Sequence, residues 1–144
     1  MQEVAAQVAE AAEALASIWV STSRSASPRL SALQTQALLI ARRLPGINLT
    51  GLADEIGAAP PNVSRLCDRL EAAGLLRRQA ARNSRREIGL VLTPQGHELI
   101  NTLLTRRQAA FGEVLSRMPT KQRTELVTGL QAFAEAAHCE SDRF

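Results

Sequence analysis

The segment LTGLADEIGAAPPNVSRLCDRLEAAGLL, residues 49–76, carries two short helical patterns separated by a glycine. In the first, Leu52, Ala53 and Ile56 share a face, Thr50 is positioned to cap the start, and Gly57 supplies the turn that follows. The second opens on Pro60 and Pro61, where a missing amide proton costs nothing, runs to about Ala73 and closes at Gly74. Ala53, Gly57, Val63 and Leu66 stand where a helix-turn-helix needs them. A small residue lies where the helices cross, a glycine at the turn, and apolar residues anchor the second helix.

Beyond Gly74 the apolar period changes from helical to two. Residues 75–79 and 87–92 read as two short antiparallel strands, with Ile88, Leu90 and Leu92 on one face and a polar, basic connection over residues 80–86. Thr93-Pro94 starts a long fifth helix that extends to about Met118. It carries two stripes: Leu99, Leu103, Ala110 and Val114, then Leu104, Phe111, Leu115 and Met118. Pro119-Thr120 introduces a sixth helix with the stripe Leu126, Leu130, Phe133 and Ala137. On the amino-terminal side, Val4, Val8, Ala11, Leu15 and Ile18 form one stripe of a first helix. Ser27-Pro28 then reads as the start of a second helix bearing Leu30, Leu33, Ala37, Leu38 and Ile40, which stops near Pro45-Gly46.

The expected architecture is therefore mainly α, a winged helix-turn-helix with a two-stranded β-hairpin wing, in a single domain spanning residues 1–144. Residues 30–93 form its central part, and 1–23 and 94–139 supply terminal helices whose apolar stripes have no compact core of their own. A second copy of the chain is the economical cover, because identical stripes complement each other across a two-fold axis.

Composition agrees with one globular domain: 144 residues, 45% hydrophobic and 22% charged. A chain of this length can bury a core without disulfides, and Cys67 and Cys139 match no Cys-x-x-Cys ligand pattern. With no signal-peptide pattern and no apolar run long enough to cross a bilayer, a soluble cytoplasmic protein without a membrane partner is expected. The net charge is only +3, but it is concentrated. Between residues 60 and 93 seven arginines face three acids, whereas the rest of the chain has ten basic and eleven acidic residues. Such a local field suits a polyanion.

On the fourth helix Val63, Leu66, Cys67 and Leu70 point inward, which turns Pro61, Asn62, Arg65, Asp68 and Arg69 outward. A helix fits the major groove of duplex DNA, where asparagine reads adenine and arginine grips guanine, so Asn62 and Arg65 are the candidate base readers. Arg69, a turn further on, suits a phosphate, and Ser64 suits either role. Arg82, Arg85 and Arg86 cluster at the hairpin turn, where an arginine can enter the narrow minor groove. Cys67, on the inner face, reads as a small inert hydrophobe. No phosphate loop, nucleophile elbow or zinc-protease motif occurs, and the two histidines, His97 and His138, make a poor metal site, so neither enzyme, cofactor nor metal is expected. A winged-helix adaptor that binds protein through the same surface is the alternative.

The run 49–76, the wing ending Ser84-Arg85-Arg86, and Leu92-Thr93-Pro94-Gln95-Gly96 resemble the MarR family of bacterial winged helix-turn-helix regulators. The resemblance implies a homodimer joined through the first, fifth and sixth helices. It also implies binding to pseudo-palindromic operator DNA, usually as a repressor released by a small-molecule effector. It carries the recognition-helix roles onto Pro61, Asn62, Ser64, Arg65 and Arg69, the wing role onto Arg85, and the lining of an effector cleft onto Leu15, Trp19, Leu33 and Leu38. Two positions depart from the family pattern. Ser84 stands where an aspartate commonly orients the wing arginine, and Ala59 stands where a serine usually caps the recognition helix.

Overall fold

A computed structural model of the chain describes residues 1–24, 29–81 and 84–141. Its elements are α1 (Gln2–Arg24), α2 (Ala32–Arg43), β1 (Ile47–Asn48), α3 (Leu49–Ile56), α4 (Pro60–Ala72), β2 (Leu76–Ala81), β3 (Ser84–Leu92), α5 (Pro94–Leu115) and α6 (Thr120–Ser141). They fall into two compact units, Met1–Arg107 and Gln108–Phe144. The expected mainly helical, winged architecture is present.

In the first unit one core gathers residues from α2, α3, α4, the sheet and the opening turns of α5. Leu38, Leu52, Leu70, Leu90 and Ile100 are its largest fully buried side chains, each contributing about 2 kcal/mol of transfer free energy. Ala53 and Val63 are buried, and Leu66 packs against the core. Gly57 adopts φ 75°, a left-handed conformation that closes α3 without a Cβ penalty. The helix-turn-helix thus follows its local steric logic.

Helix starts depart from expectation. Ser31 caps α2, accepting from the Gln34 amide at 3.1 Å while the Gln34 side chain accepts from the Ser31 amide at 2.9 Å. This reciprocal box needs Gln three residues after the cap, which Ser31 has. Leu30 consequently precedes the helix, and Ser27 and Pro28 lie outside the described residues. For α3 the cap is Asn48, not Thr50: its Oδ1 accepts from the Gly51 amide at 2.7 Å.

Asn48 also belongs to a strand that sequence periodicity did not reveal. β1 pairs antiparallel with β3, Ile47 opposite Leu90, so the sheet has three strands in the order β1-β3-β2 rather than two. Two residues are too few to display a period. The Asn48 Nδ2 donates to Glu87 Oε2 at 2.9 Å, tying the start of α3 to the wing strand. Asn48→Ala should cost about 1 to 2 kcal/mol through the lost cap, measurable as a lower urea midpoint with unchanged slope.

The hairpin is longer than the alternating pattern implied, and Leu76 pairs with Leu92 at its base. Leu90 and Leu92 face the core as expected, but Ile88 is 59% exposed. It lies opposite Ala80, next to the register shift between Ala80 and Ala81, where the strands have left the helical layer.

In the second unit α5 ends at Leu115, three residues short of Met118. Arg123 stops it: Nε donates to the Met118 carbonyl at 2.9 Å and Nη2 to the Ser116 carbonyl at 3.3 Å, satisfying acceptors past the helix end. Along α6 the expected stripe is open. Val127 and Leu130 are exposed, and Phe133 is 65% exposed. Val4 and Val8 of α1 are likewise exposed.

Candidate nucleic-acid interface

Helix α4 has no side-chain cap; Ala59 occupies the cap position and Pro60 and Pro61 fill the first turn. Its buried side is Val63, Cys67 and Leu70, which leaves Pro61, Asn62, Arg65, Asp68 and Arg69 exposed and Ser64 half-buried. The outward set is the one the helical spacing predicts.

Charge on this face is sorted by partners that spacing along one helix does not disclose. Asp68 does not pair with Arg65 three residues earlier. Its Oδ1 accepts from Arg78 Nη2 on β2 at 2.7 Å, and Arg78 Nε lies 3.5 Å from Glu71 Oε2. Both acids of α4 are therefore drawn to one cation on the strand side, and the hydrogen bond to Asp68 raises the Arg78 pKa above its ordinary value. Arg65 Nη2 instead donates to Asn62 Oδ1 at 3.3 Å, bringing the two candidate base readers side by side. The Arg78 bridge also joins α4 to the strand β2 of the wing.

At the wing, Arg86 is exposed on β3. Arg82 lies outside the described residues, as does the side chain of Arg85. Sequence reasoning missed Arg78 as a supporting residue, since its partners are ten and seven positions away and meet it only in the tertiary structure.

Cys67 is buried, and burial pushes its thiol up to about 11, an effect that Arg78 opposes and that Asp68 and Glu71 reinforce. A thiol of this kind is a poor nucleophile at neutral pH. Iodoacetamide at pH 7.5 should modify exposed Cys139 and leave Cys67 intact until the chain is unfolded, which mass spectrometry of the labelled peptides would read.

Of the residues assigned to an effector cleft, Trp19 lines a cavity of about 560 Å³ together with Ser23, Leu30 and Leu39. Leu38 sits in the core, Leu33 is exposed, and Leu15 is half-buried on α1 away from this cavity. Among the described residues no group of three or more His, Cys, Asp or Glu could hold a metal ion, and no helix is long and apolar enough to cross a membrane.

Residues 30–88, from the approach to α2 through most of the wing, match the model of the MarR family. The transcriptional repressor MprA of Escherichia coli (strain K12) is 29% identical over 75 residues, 52% of this chain and 43% of that protein. The match thus spans less than half the length of that relative. Among solved structures, RV1404 from Mycobacterium tuberculosis is similar with a TM-score of 0.86 and 27% identity, covering 95% of this chain and 93% of that one. FabT of Streptococcus pneumoniae, crystallised in complex with DNA, has a TM-score of 0.78 and 15% identity over 95% of this chain and 96% of its own, a likeness of fold. The stretch that resembles the MarR family therefore falls on the same residues that build the helix-turn-helix and the wing.

Proposed function

We propose that the chain is a cytoplasmic, homodimeric, sequence-specific DNA-binding regulator that represses transcription until a small-molecule effector releases it. The observation that carries this reading is the outward face of α4. Asn62, Arg65 and Arg69 are exposed there while Asp68, the acid among them, is ion-paired with Arg78. A face of that kind suits a polyanionic groove.

In this reading residues 30–93 bind DNA, and residues 1–23 and 94–139 join two copies through the exposed apolar stripes of α1 and α6. Each subunit sets α4 in a major groove, with the two half-sites about one helical turn apart. Asn62 accepts from and donates to an adenine edge, and Arg65 donates two hydrogen bonds to a guanine. Pro61, Ser64 and Arg69 contact the backbone, while Arg82, Arg85 and Arg86 serve the wing, with Arg85 in the minor groove. The cavity beside Trp19 is the effector site.

Fluorescence anisotropy against the DNA upstream of the chain's own gene tests the assignment. Arg65→Ala should narrow the affinity gap between operator and scrambled duplex by about 10- to 100-fold, the value of one bidentate base contact. Arg85→Ala should weaken operator and similarly shaped DNA together. Undiminished binding by both variants would overturn the reading.

A further inference from the structure

The direction in which the hairpin leaves the core is not fixed by apolar packing. β3 is exposed from Arg86 to Ile88 and becomes buried only at Gly89, and β2 is exposed from Arg77 to Ala80. What holds the base of the wing is polar, and a tie is made from each strand.

On β2, Arg78 donates to Asp68 of α4 at 2.7 Å. Arg78 stands opposite Leu90, so it lies on the sheet face turned to the core. On β3, Glu87 accepts at 2.9 Å from Asn48 Nδ2. Asn48 stands opposite Gly89, and side chains two apart along a strand share a face, which puts this second tie on the other face of the sheet. Ties on opposite faces oppose each other's swing: slack in either lets the hairpin pivot toward the side still held.

One side chain of Asn48 serves both the helix and the wing. Its Oδ1 accepts from the Gly51 amide at 2.7 Å, which anchors it at the start of α3 and leaves its amino group to hold Glu87. A cap needs only an oxygen, which serine or aspartate supplies equally well. Serine is shorter, however, and aspartate has no donor, so neither makes the second contact. Glu87 in turn puts a negative charge beside a basic turn, which a polyanion disfavours; holding Asn48 gives that acid a purpose.

We propose that Asn48 and Glu87 are positioning residues for the wing, setting its angle to α3 and α4 so that its arginines and the outward face of α4 meet one duplex together. The consequence for DNA rests on the function proposed above; the tie itself does not.

Asn48→Ser keeps the cap and the net charge and removes the tie. In hydrogen exchange of the free full-length protein, peptides covering residues 86–92 should exchange about 3- to 10-fold faster, the value of one surface hydrogen bond, while peptides of α4 stay unchanged. Asn48→Asp combined with Glu87→Gln reverses donor and acceptor at constant charge and should restore the parent rate. Operator affinity should fall about 3- to 10-fold in Asn48→Ser, recover in the reversed pair, and show no such fall in an Arg85→Ala background, where the wing contact is already lost. Unchanged exchange at residues 86–92, or no recovery in the reversed pair, would overturn the proposal whatever the DNA result. So would faster exchange with undiminished operator affinity, or an equal Asn48→Ser loss in the Arg85→Ala background. Faster exchange that the reversed pair restores, in a protein that binds no duplex, would instead fault the regulatory reading and leave the tie standing.

Discussion

Between 50 and 200 mM salt the affinity of this protein for its operator should fall about ten-thousand-fold. Each phosphate neutralised by an arginine releases condensed counterions, and log affinity falls against log salt with a slope of about −0.9 per contact. If each subunit engages roughly four phosphates, the dimer's slope is near −7, which a fourfold rise in salt converts to that loss. Arg69→Ala removes one contact per subunit and should flatten the slope by about 2, with operator and scrambled duplex affected alike. The expectation is specific because the arginines at issue are grouped within residues 65–86, and the acids Asp68 and Glu71 are already held by Arg78. Binding that scarcely changes with salt, or an absence of duplex binding at 50 mM, would favour the protein-adaptor alternative. Anisotropy titrations at four salt concentrations are sufficient to obtain the slope.

Gly96→Ala should cost about 3 kcal/mol and lower the melting temperature by about 10 °C. A Cβ at this position would lie 2.1 Å from the Leu75 carbonyl oxygen, 2.9 Å from Leu92 Cδ2 and 3.1 Å from the Leu75 carbonyl carbon. The obstacle is backbone, and it is held in place. The Leu75 oxygen accepts from the Thr93 amide at 3.1 Å, Thr93 Oγ1 donates to the Gly74 carbonyl at 2.5 Å, and the same hydroxyl accepts from the Gly96 amide at 3.0 Å. Relief would require the start of α5 to leave the end of α4 and open the core at Leu75, Leu92 and Leu99. Gly112→Ala is the matched control, since a Cβ there meets nothing within 4 Å and the helix should gain about 0.5 to 1 kcal/mol. Thermal melts of the two variants should move in opposite directions, and a Gly96→Ala protein as stable as the parent would refute this close docking.

The distribution of what could be read early follows the range of the forces involved. Helix α4, its proline start, its inward Val63, Cys67 and Leu70 and its outward Asn62, Arg65 and Arg69 follow from residue spacing alone, because side-chain direction on a helix is set by the backbone period. The turn at Gly57 is equally local, since it depends on one residue's freedom at positive φ.

Competing caps could not be resolved in that way. Asn48 and Thr50 both offer an oxygen near the start of α3, and the choice falls to Asn48 because β1 pairing holds Asn48 extended, immediately ahead of the first turn. The burial of Arg107 is hidden from the sequence for a related reason. A charge on an apolar stripe reads as a gap in the stripe, and only the packing of Trp19 and Ser23 around it reveals that the guanidinium stays inside.

By itself, then, the amino-acid order determined the helix-turn-helix, the hairpin and the basic outer face, all products of interactions within a few residues. The tertiary structure alone decided which acids meet Arg78, which strand completes the sheet and where Arg107 is buried. Those outcomes depend on groups far apart in the chain, whose meeting no local period encodes.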